Sequence, residues 1–203
     1  LSFWQTVGIS LLRILIGFAG AVVGGCVLAI LTVRFSLLHT LLSPVLHIVK
    51  AAPVASFIIL ALIWLQTSQL SLFISFLMVF PVLYTNVLAG IRSADRQLLE
   101  MARVFRLSGL RRVRCIILPS LAPYLKSACH VALGLCWKAG VAAEVMAVAT
   151  RSVGGMLYDA KVYLEISDVF AWTVLLVAVS ILFEKAFLWL LDLCVNRAIR
   201  WEG

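Results

Sequence analysis

The sequence predicts an all-α fold, a polytopic transmembrane helical bundle of about five core spans. The chain is 64% hydrophobic and only 13% charged, whereas the apolar share of a soluble domain is usually near half. Its apolar residues form runs of the length that crosses a bilayer as a helix. These runs leave no room for a soluble catalytic domain, so we expect a single transmembrane domain over residues 1–203. Besides the composition and the length of the apolar runs, one arginine-rich loop supports this prediction.

This loop, about residues 92–118, is the long polar interruption in the chain. Its seven arginines face two acids, Asp95 and Glu100, so it carries +5 of the net charge of +8. Loops rich in Lys and Arg remain cytoplasmic during membrane insertion. The loop is therefore expected in the cytoplasm, with spans on both sides of it. A nucleic-acid interface is not favoured, because the arginines are confined between spans.

The first apolar run, residues 10–33, predicts a span interrupted only by Arg13 near its start. Gly20 and Gly24 give it a face on which another helix can pack closely. We favour packing inside one bundle, with a dimer interface as the alternative. Residues 34–50 contain a proline and two histidines and predict a short interfacial helix, in which we interpret His47 as structural.

The apolar run from residue 53 to 65 is too short to span a bilayer alone. Proline cannot complete helical hydrogen bonds, so we expect a span that begins before Pro53 and is bent or interrupted there. Residues 66–71 are predicted to be an external turn. The span over residues 70–91 holds Asn86, which either bonds a neighbouring helix or lines a pathway.

The longest apolar run, residues 120–149, carries Lys138 and Glu144 well inside it. Ionisable groups in a bilayer are costly unless they are paired or face water, so these two either line a cavity or lock a helix contact. Six residues apart, they lie on different helix faces and are not expected to pair. Residues 150–167 predict an external loop with at most a short helix. In the last span, residues 169–191, Glu184 either neutralises Lys185 or finds another partner.

Inside the arginine-rich loop, residues 95–107 predict a short amphipathic helix. Its apolar stripe recurs at helical spacing and consists of Leu98, Met101, Ala102 and Phe105. From composition alone, such a helix either lies on the bilayer surface or docks in the groove of a partner.

A motif with a fixed spacing favours docking in the groove of a partner over a position on the bilayer surface. Glu100 and Ala102, with Ile116, Leu118 and Pro119, match the pattern E-A-A-x3-G-x9-I-x-L-P. The pattern resembles the EAA loop of permease subunits of bacterial ATP-binding-cassette (ABC) importers.

This sequence departs from the motif at two places. Met101 replaces the first alanine, and Arg106 stands where the family usually has glycine. We therefore expect Ser108 and Gly109 to provide the break between the two short helices of the loop, since glycine tolerates a left-handed backbone.

Two further runs resemble the nitrate, sulfonate and taurine branch of this family, residues 50–64 (KAAPVASFIILALIW) and 133–147 (LGLCWKAGVAAEVMA). The resemblance implies a MetI-like permease fold and alternating access for a small solute of the sulfonate, nitrate, taurine or vitamin-precursor class. Members of the branch commonly have a further helix, which is expected before Leu1. The implied location is the bacterial inner membrane.

The resemblance also implies partners and site residues. The partners are cytoplasmic ATPase subunits, a second permease copy or homologue, an extracytoplasmic solute-binding protein and the lipid bilayer. The residues implied to couple to the ATPase are Glu100, Met101, Ala102, Phe105, Arg106 and Gly109. The candidates for the translocation path are Asn86, Lys138 and Glu144.

No enzymatic activity is expected of the chain itself. It has no GxxxxGK[ST] phosphate loop, and its sequence offers no catalytic set or metal-ligand pattern, so neither cofactor nor metal is predicted. Two alternatives remain. An ion-driven secondary transporter should contain an internal repeat, which is not seen. A membrane scaffold that docks a soluble partner would explain the charge of the loop but not the spacing of the motif.

Overall fold

The structure, a computed structural model, describes residues 3–200, without the side chains of residues 196 and 198–200. The helix expected before Leu1 therefore lies outside the described residues. Nine α-helices and one π-helical turn make up the described chain. They are α1 (Phe3–Arg34), α2 (Ser36–Ala51), α3 (Val54–Leu62), α4 (Thr67–Arg92), α5 (Arg96–Val104), α6 (Gly109–Arg112), the π turn (Val113–Ile117), α7 (Leu118–Met146), α8 (Val153–Val162) and α9 (Ile166–Arg200).

Four helical segments are long and apolar enough to cross a membrane, and a fifth is obtained if α2 and α3 count as one bent span. The axes of α2 and α3 differ by 102°, and the break falls at Ala52 and Pro53, both in extended conformation. The predicted all-α bundle and the interruption at Pro53 are confirmed. The external turn was predicted too late, because α4 already begins at Thr67.

The centre of the bundle is α4, which lies between α1 and α7. Helices α1 and α4 run parallel and approach closely, since a Cβ atom added at Gly17 would overlap the carbonyl oxygen of Leu72. Gly20 and Gly24 face aromatic rings of the same α4, which agrees with packing inside one bundle. Helix α7 runs antiparallel to α4, with Ser75 Oγ donating to the Cys136 carbonyl at 3.3 Å.

Helix α9 packs on the outside of α7. Its most apolar stretch has no buried residue, yet polar contacts fix its register. Lys126 Nζ lies 2.8 Å from the Asp192 carboxylate, and His130 Nδ1 lies 2.8 Å from Glu184 Oε1. Of the two fates predicted for Glu184, the structure therefore shows the contact with another helix.

The helix directions place two different structures at the two ends of the bundle. The amino-terminal ends of α1 and α9 lie together, since the rings of Phe3 and Trp172 stack with centroids 5.1 Å apart. Helix α8 lies at this end and contacts α1, α7 and α9. The arginine-rich loop with α5 and α6 lies at the opposite end, as the alternation of spans predicts.

Candidate functional site

Helix α5 is a short, well-capped helix at the arginine-rich end. Asp95 Oδ1 accepts a hydrogen bond from the Gln97 backbone N–H at 2.8 Å, and this cap satisfies one of the free donors of the first turn. The helix ends at Val104. The amphipathic helix predicted over residues 95–107 is thus present, with slightly shorter bounds.

The predicted apolar stripe of α5 divides into two parts. Ala102 is buried and packs with Ala94 and Ile116, which join the end of α4 to the start of the segment leading into α7. Leu98 and Met101 are 44% and 47% exposed, and the ring of Phe105 beside them is 72% exposed. Glu100 lies on the exposed surface of the same helix. One side of α5 therefore attaches it to the bundle, and the other presents an uncovered apolar surface.

The chain reversal after α5 occurs at Arg106, not at Gly109 as expected. Arg106 has φ +52°, whereas no described glycine has positive φ. The Leu107 N–H donates to the Ala102 carbonyl at 2.9 Å, the bond that closes a helix whose next residue is left-handed. Arg106 thus adopts the conformation that the glycine of the motif would take, at a cost of about 1 kcal/mol.

Gly109 instead opens α6. Ser108 caps that helix, with its Oγ accepting from the Arg111 N–H at 3.4 Å. The position of Gly109 was a poor guide here, because the closing hydrogen bonds of α5 hold a non-glycine residue, Arg106, in the left-handed conformation.

The three path candidates occupy three separate environments. Asn86 is half-buried, and its Nδ2 donates to the Val82 carbonyl of its own helix at 2.8 Å rather than to a neighbouring helix. Lys138 is exposed and lines an open cleft of about 520 Å³ between α7 and α9, together with Glu184. Glu144 is fully buried. Lys138 and Glu144 are not brought together, as their spacing predicts.

Glu144 is the centre of a buried polar cluster at the end opposite the loop. Its Oε2 accepts from Ser10 Oγ at 2.8 Å and from the Gly154 N–H at 3.2 Å. Ser10 Oγ in turn accepts from the Val153 N–H at 2.9 Å. The position of the carboxylate at the start of α8 is favourable, because free N–H groups give a helix N-terminus partial positive charge.

Sequence reasoning missed a basic stripe on α2. Polar residues at positions 39, 43, 47 and 50 face α4 across a cleft. Their spacing of four, four and three residues was readable in the sequence as one helix face, but the short interfacial helix had been assigned no function.

Comparison with known proteins identifies the family of this chain. Residues 21–200 match the family described as binding-protein-dependent transport system inner membrane component. The chain belongs to this family. It is a permease subunit of an ABC importer and a multi-pass protein of the inner membrane.

Individual relatives of this permease lie in the branch that the sequence indicated. The bicarbonate transport system permease protein CmpB of Synechococcus elongatus is 29% identical over 190 residues, covering 93% of this chain and 68% of that protein. The taurine transport system permease protein TauC of Escherichia coli is 26% identical over 203 residues, covering 100% and 72%. The putative aliphatic sulfonates transport permease protein SsuC of Bacillus subtilis is 29% identical over 197 residues, covering 96% and 69%.

A solved structure has the same fold. The crystal structure of an amino acid ABC transporter with histidines superimposes with a TM-score of 0.70 over 96% of this chain and 93% of that chain, at 14% identity. The match supports the MetI-like arrangement of helices. Because the identity is low, it is an argument about the fold alone.

Proposed function

We propose that α5 is the helix through which cytoplasmic ATPase subunits drive this permease. The observation that carries the proposal is the uncovered apolar surface of α5, formed by Leu98, Met101 and Phe105 beside the exposed Glu100. An amphipathic helix of this kind binds by laying its apolar side in a groove. ATP hydrolysis would take place in the ATPase subunits, and the permease chain itself would catalyse no reaction.

The buried side of α5 supplies the mechanical connection. Ala102 packs against Ala94, just after α4, and against Ile116, just before α7. These are the two helices with the most extensive contact in the bundle. A displacement of α5 would therefore move α4 and α7 together, as packed elements shift between discrete arrangements rather than deform continuously. Such movement in two permease subunits would alternate access to a pathway between them.

The transported solute is proposed to be a small anion. The relatives of this chain are named for bicarbonate, taurine, nitrate and aliphatic sulfonates, and each of these carries a carbonate, nitrate or sulfonate group. Among the three path candidates, Lys138 suits such a solute, because it is exposed and positively charged. Asn86 bonds its own helix and Glu144 is enclosed, so we assign these two to the structure of the bundle.

At the opposite end, an extracytoplasmic solute-binding protein would deliver the anion to the surface around α8. The remaining exposed apolar faces of α2 and α9 would be covered by lipid or by the second permease copy. In this proposal the chain acts as one transmembrane unit.

The test is a charge reversal on α5 in the assembled transporter. Glu100→Arg should lower ATP-driven uptake into proteoliposomes by about tenfold or more, because it places a cation at the ATPase contact. The variant should still insert into the membrane and elute as a folded protein. Glu165→Arg, the same reversal at an exposed residue near the other end, is the control and should keep the ATPase bound. Normal uptake by Glu100→Arg would refute the role of α5.

A further inference from the structure

The basic stripe on α2 lines a cleft against the loop-proximal half of α4. The cleft has a volume of about 320 Å³, and its polar lining consists of His39, Ser43, His47, Lys50, Tyr84, Thr85 and Arg92. Among the described residues that line it there is no Asp or Glu. Its side chains therefore offer cations and hydroxyl groups but no negative charge.

Helix α2 has two opposite faces. Residues 39, 43, 47 and 50 face the cleft, whereas the strongly exposed apolar residues are Leu37, Leu41, Val45 and Ile48. The two series are offset by two residues, or about 200° around the helix. The apolar face is turned away from the protein, as expected for a helix against lipid, and the polar face is turned toward α4 across the cleft. His47, Lys50 and Arg92 are exposed in this cleft, and ionisable groups that face a water-filled cavity in a membrane bundle commonly mark a solute pathway.

The cations of the cleft lack partners of opposite charge. Within the described part of the chain, the two ion pairs are Lys126 with Asp192 and His130 with Glu184, and neither involves the cleft. Lys50 Nζ instead donates to Thr85 Oγ1 at 3.3 Å. Lys50 and Arg92 occupy the last turns of α2 and α4, where the helix dipole favours positive charge. A cleft lined by cations without acidic partners raises the local concentration of anions.

The walls of the cleft are fixed before any ligand binds. Tyr84 is buried and its hydroxyl donates to Thr32 Oγ1 at 3.2 Å. Thr85 Oγ1 donates to the Pro81 carbonyl at 2.8 Å. His47 Nδ1 lies 2.7 Å from the Ser43 carbonyl oxygen, and because a carbonyl only accepts, this nitrogen carries the proton. These three protons are committed to protein acceptors, so they hold the walls in place rather than donate to a ligand. Walls that are already fixed lower the entropy cost of binding.

We propose that this cleft is a binding site for the transported small oxyanion, held by Lys50 and Arg92 with the His39 ring and the Ser43 hydroxyl. The proposal rests on the anion transport inferred above and gives it a location on the cytoplasmic half of the bundle. Arg92 is the last residue of α4 and directly precedes the loop that carries α5. The site would thus be the last to hold the anion before release, next to the helix that the ATPase moves.

Lipid headgroups offer the same anionic oxygen chemistry, since basic pockets between membrane helices also bind anionic lipids. The test must therefore separate a free anion from a headgroup. We would purify the permease with its ATPase, place it in nanodiscs of phosphatidylcholine only, and measure equilibrium binding of isotope-labelled nitrate, bicarbonate and taurine.

The wild type should bind at least one of these solutes through its carbonate, nitrate or sulfonate group, and Lys50→Gln should weaken that binding by about tenfold, the effect of losing one charge-assisted hydrogen bond. Lys50→Arg should retain most of the binding. The matched control is Lys126→Gln, which removes the same charge from an exposed ion pair that does not line the cleft and should bind like the wild type. Arg92→Gln should weaken binding further when combined with Lys50→Gln.

Three results would overturn the proposal. The first is no anion binding to the wild type, and the second is equal anion binding to the wild type and to the Lys50→Gln/Arg92→Gln variant. The third is that this double variant loses phosphatidylglycerol that the wild type retains through purification, while its anion binding is unchanged. That result would make the cleft a headgroup site. ATP-driven uptake is measured separately in vesicles. Binding that depends on Lys50 without any uptake would support the site and reject anion transport as the function.

Discussion

The two ends of the bundle are built in opposite ways. At the end with α8, the first three N–H groups of that helix are each satisfied by a side chain. Val153 donates to Ser10 of α1, Gly154 to Glu144 of α7, and Gly155 to Ser152. At the other end, α5 has a single side-chain cap and an apolar side that nothing in the described chain covers.

This difference between the two ends indicates that the α8 end contributes to stability, whereas the α5 end is available for coupling to the ATPase. The first turn of α8 is buried and tied to two spans, so it should move only with them. Helix α5 is attached through Ala102 and otherwise presents surface. Substitutions at the α8 end should therefore act on the folded state, whereas those on α5 should act on association with the ATPase and leave the fold intact.

The largest effect on stability should come from Glu144→Ala. It would leave the Ser10 hydroxyl and the Gly154 N–H buried without their acceptor, at a cost of about 3 kcal/mol in unfolding free energy. Glu144→Gln keeps an oxygen acceptor in place and should cost clearly less. The measurement is denaturant unfolding of both purified variants in mild detergent. Equal losses in the two variants would show that the hydrogen bonds do not hold this end.

Gly154→Ala should have the next largest effect. A Cβ atom there would overlap the Cβ of Glu144, and overpacking of this kind typically costs about 1–3 kcal/mol. The matched control is Gly109→Ala at the loop end, where a Cβ would meet no atom within 4 Å. That variant should stay within about 0.5 kcal/mol of the wild type in the same unfolding assay. If both variants were equally stable, the contrast between the two ends would be lost.

Substitutions at Arg106 should have a smaller and local effect. Arg106→Gly removes the left-handed strain and should slow hydrogen exchange of the Leu107 amide, while Arg106→Val should speed it, because a β-branched residue is poorly tolerated at positive φ. The expected difference between the two is about 1–2 kcal/mol. Exchange measured by mass spectrometry on the loop peptides tests this. The same exchange rate in both variants would mean that Arg106 is not left-handed in solution.

Lys138 lies between the two ends, and Lys138→Ala should have the smallest effect on the protein, confined to anion uptake. We expect a decrease in anion uptake of a few-fold with unchanged assembly and unchanged unfolding, because the side chain is exposed and makes no ion pair within the described residues. Initial rates of uptake at limiting anion concentration test this. Unchanged kinetics would remove Lys138 from the path.

The features that followed from the sequence depend on local rules. The break at Pro53 follows from the missing donor of proline, and the helix at 96–104 follows from an apolar stripe at helical spacing. The partner of Glu144 could not be found in this way. Ser10 lies 134 residues away along the chain, and only the parallel and antiparallel packing of the spans brings the two together. A buried carboxylate was therefore indistinguishable from a path residue in the sequence.

The cleft between α2 and α4 could be predicted from the sequence only in part. The stripe at residues 39, 43, 47 and 50 was visible as helical spacing, but its meaning depended on which side of α2 faces α4. The left-handed conformation of Arg106 was harder still to predict. Arg106 takes this conformation because the closing hydrogen bond of α5 from Leu107 to Ala102 requires it, and side-chain preference alone pointed to Gly109.

The most direct test of the central claim, that the apolar side of α5 holds the ATPase, is affinity purification of the permease from its native membrane across a salt series. Between about 0.1 and 1 M salt the screening length falls from about 10 to about 3 Å, so contacts between exposed charges weaken. We predict that ATPase subunits remain bound to the wild type and to Arg103→Gln throughout, and are lost from Met101→Ser/Phe105→Ser even at low salt. The account would be contradicted if the ATPase left the wild type as salt rises and yet remained bound to Met101→Ser/Phe105→Ser at low salt.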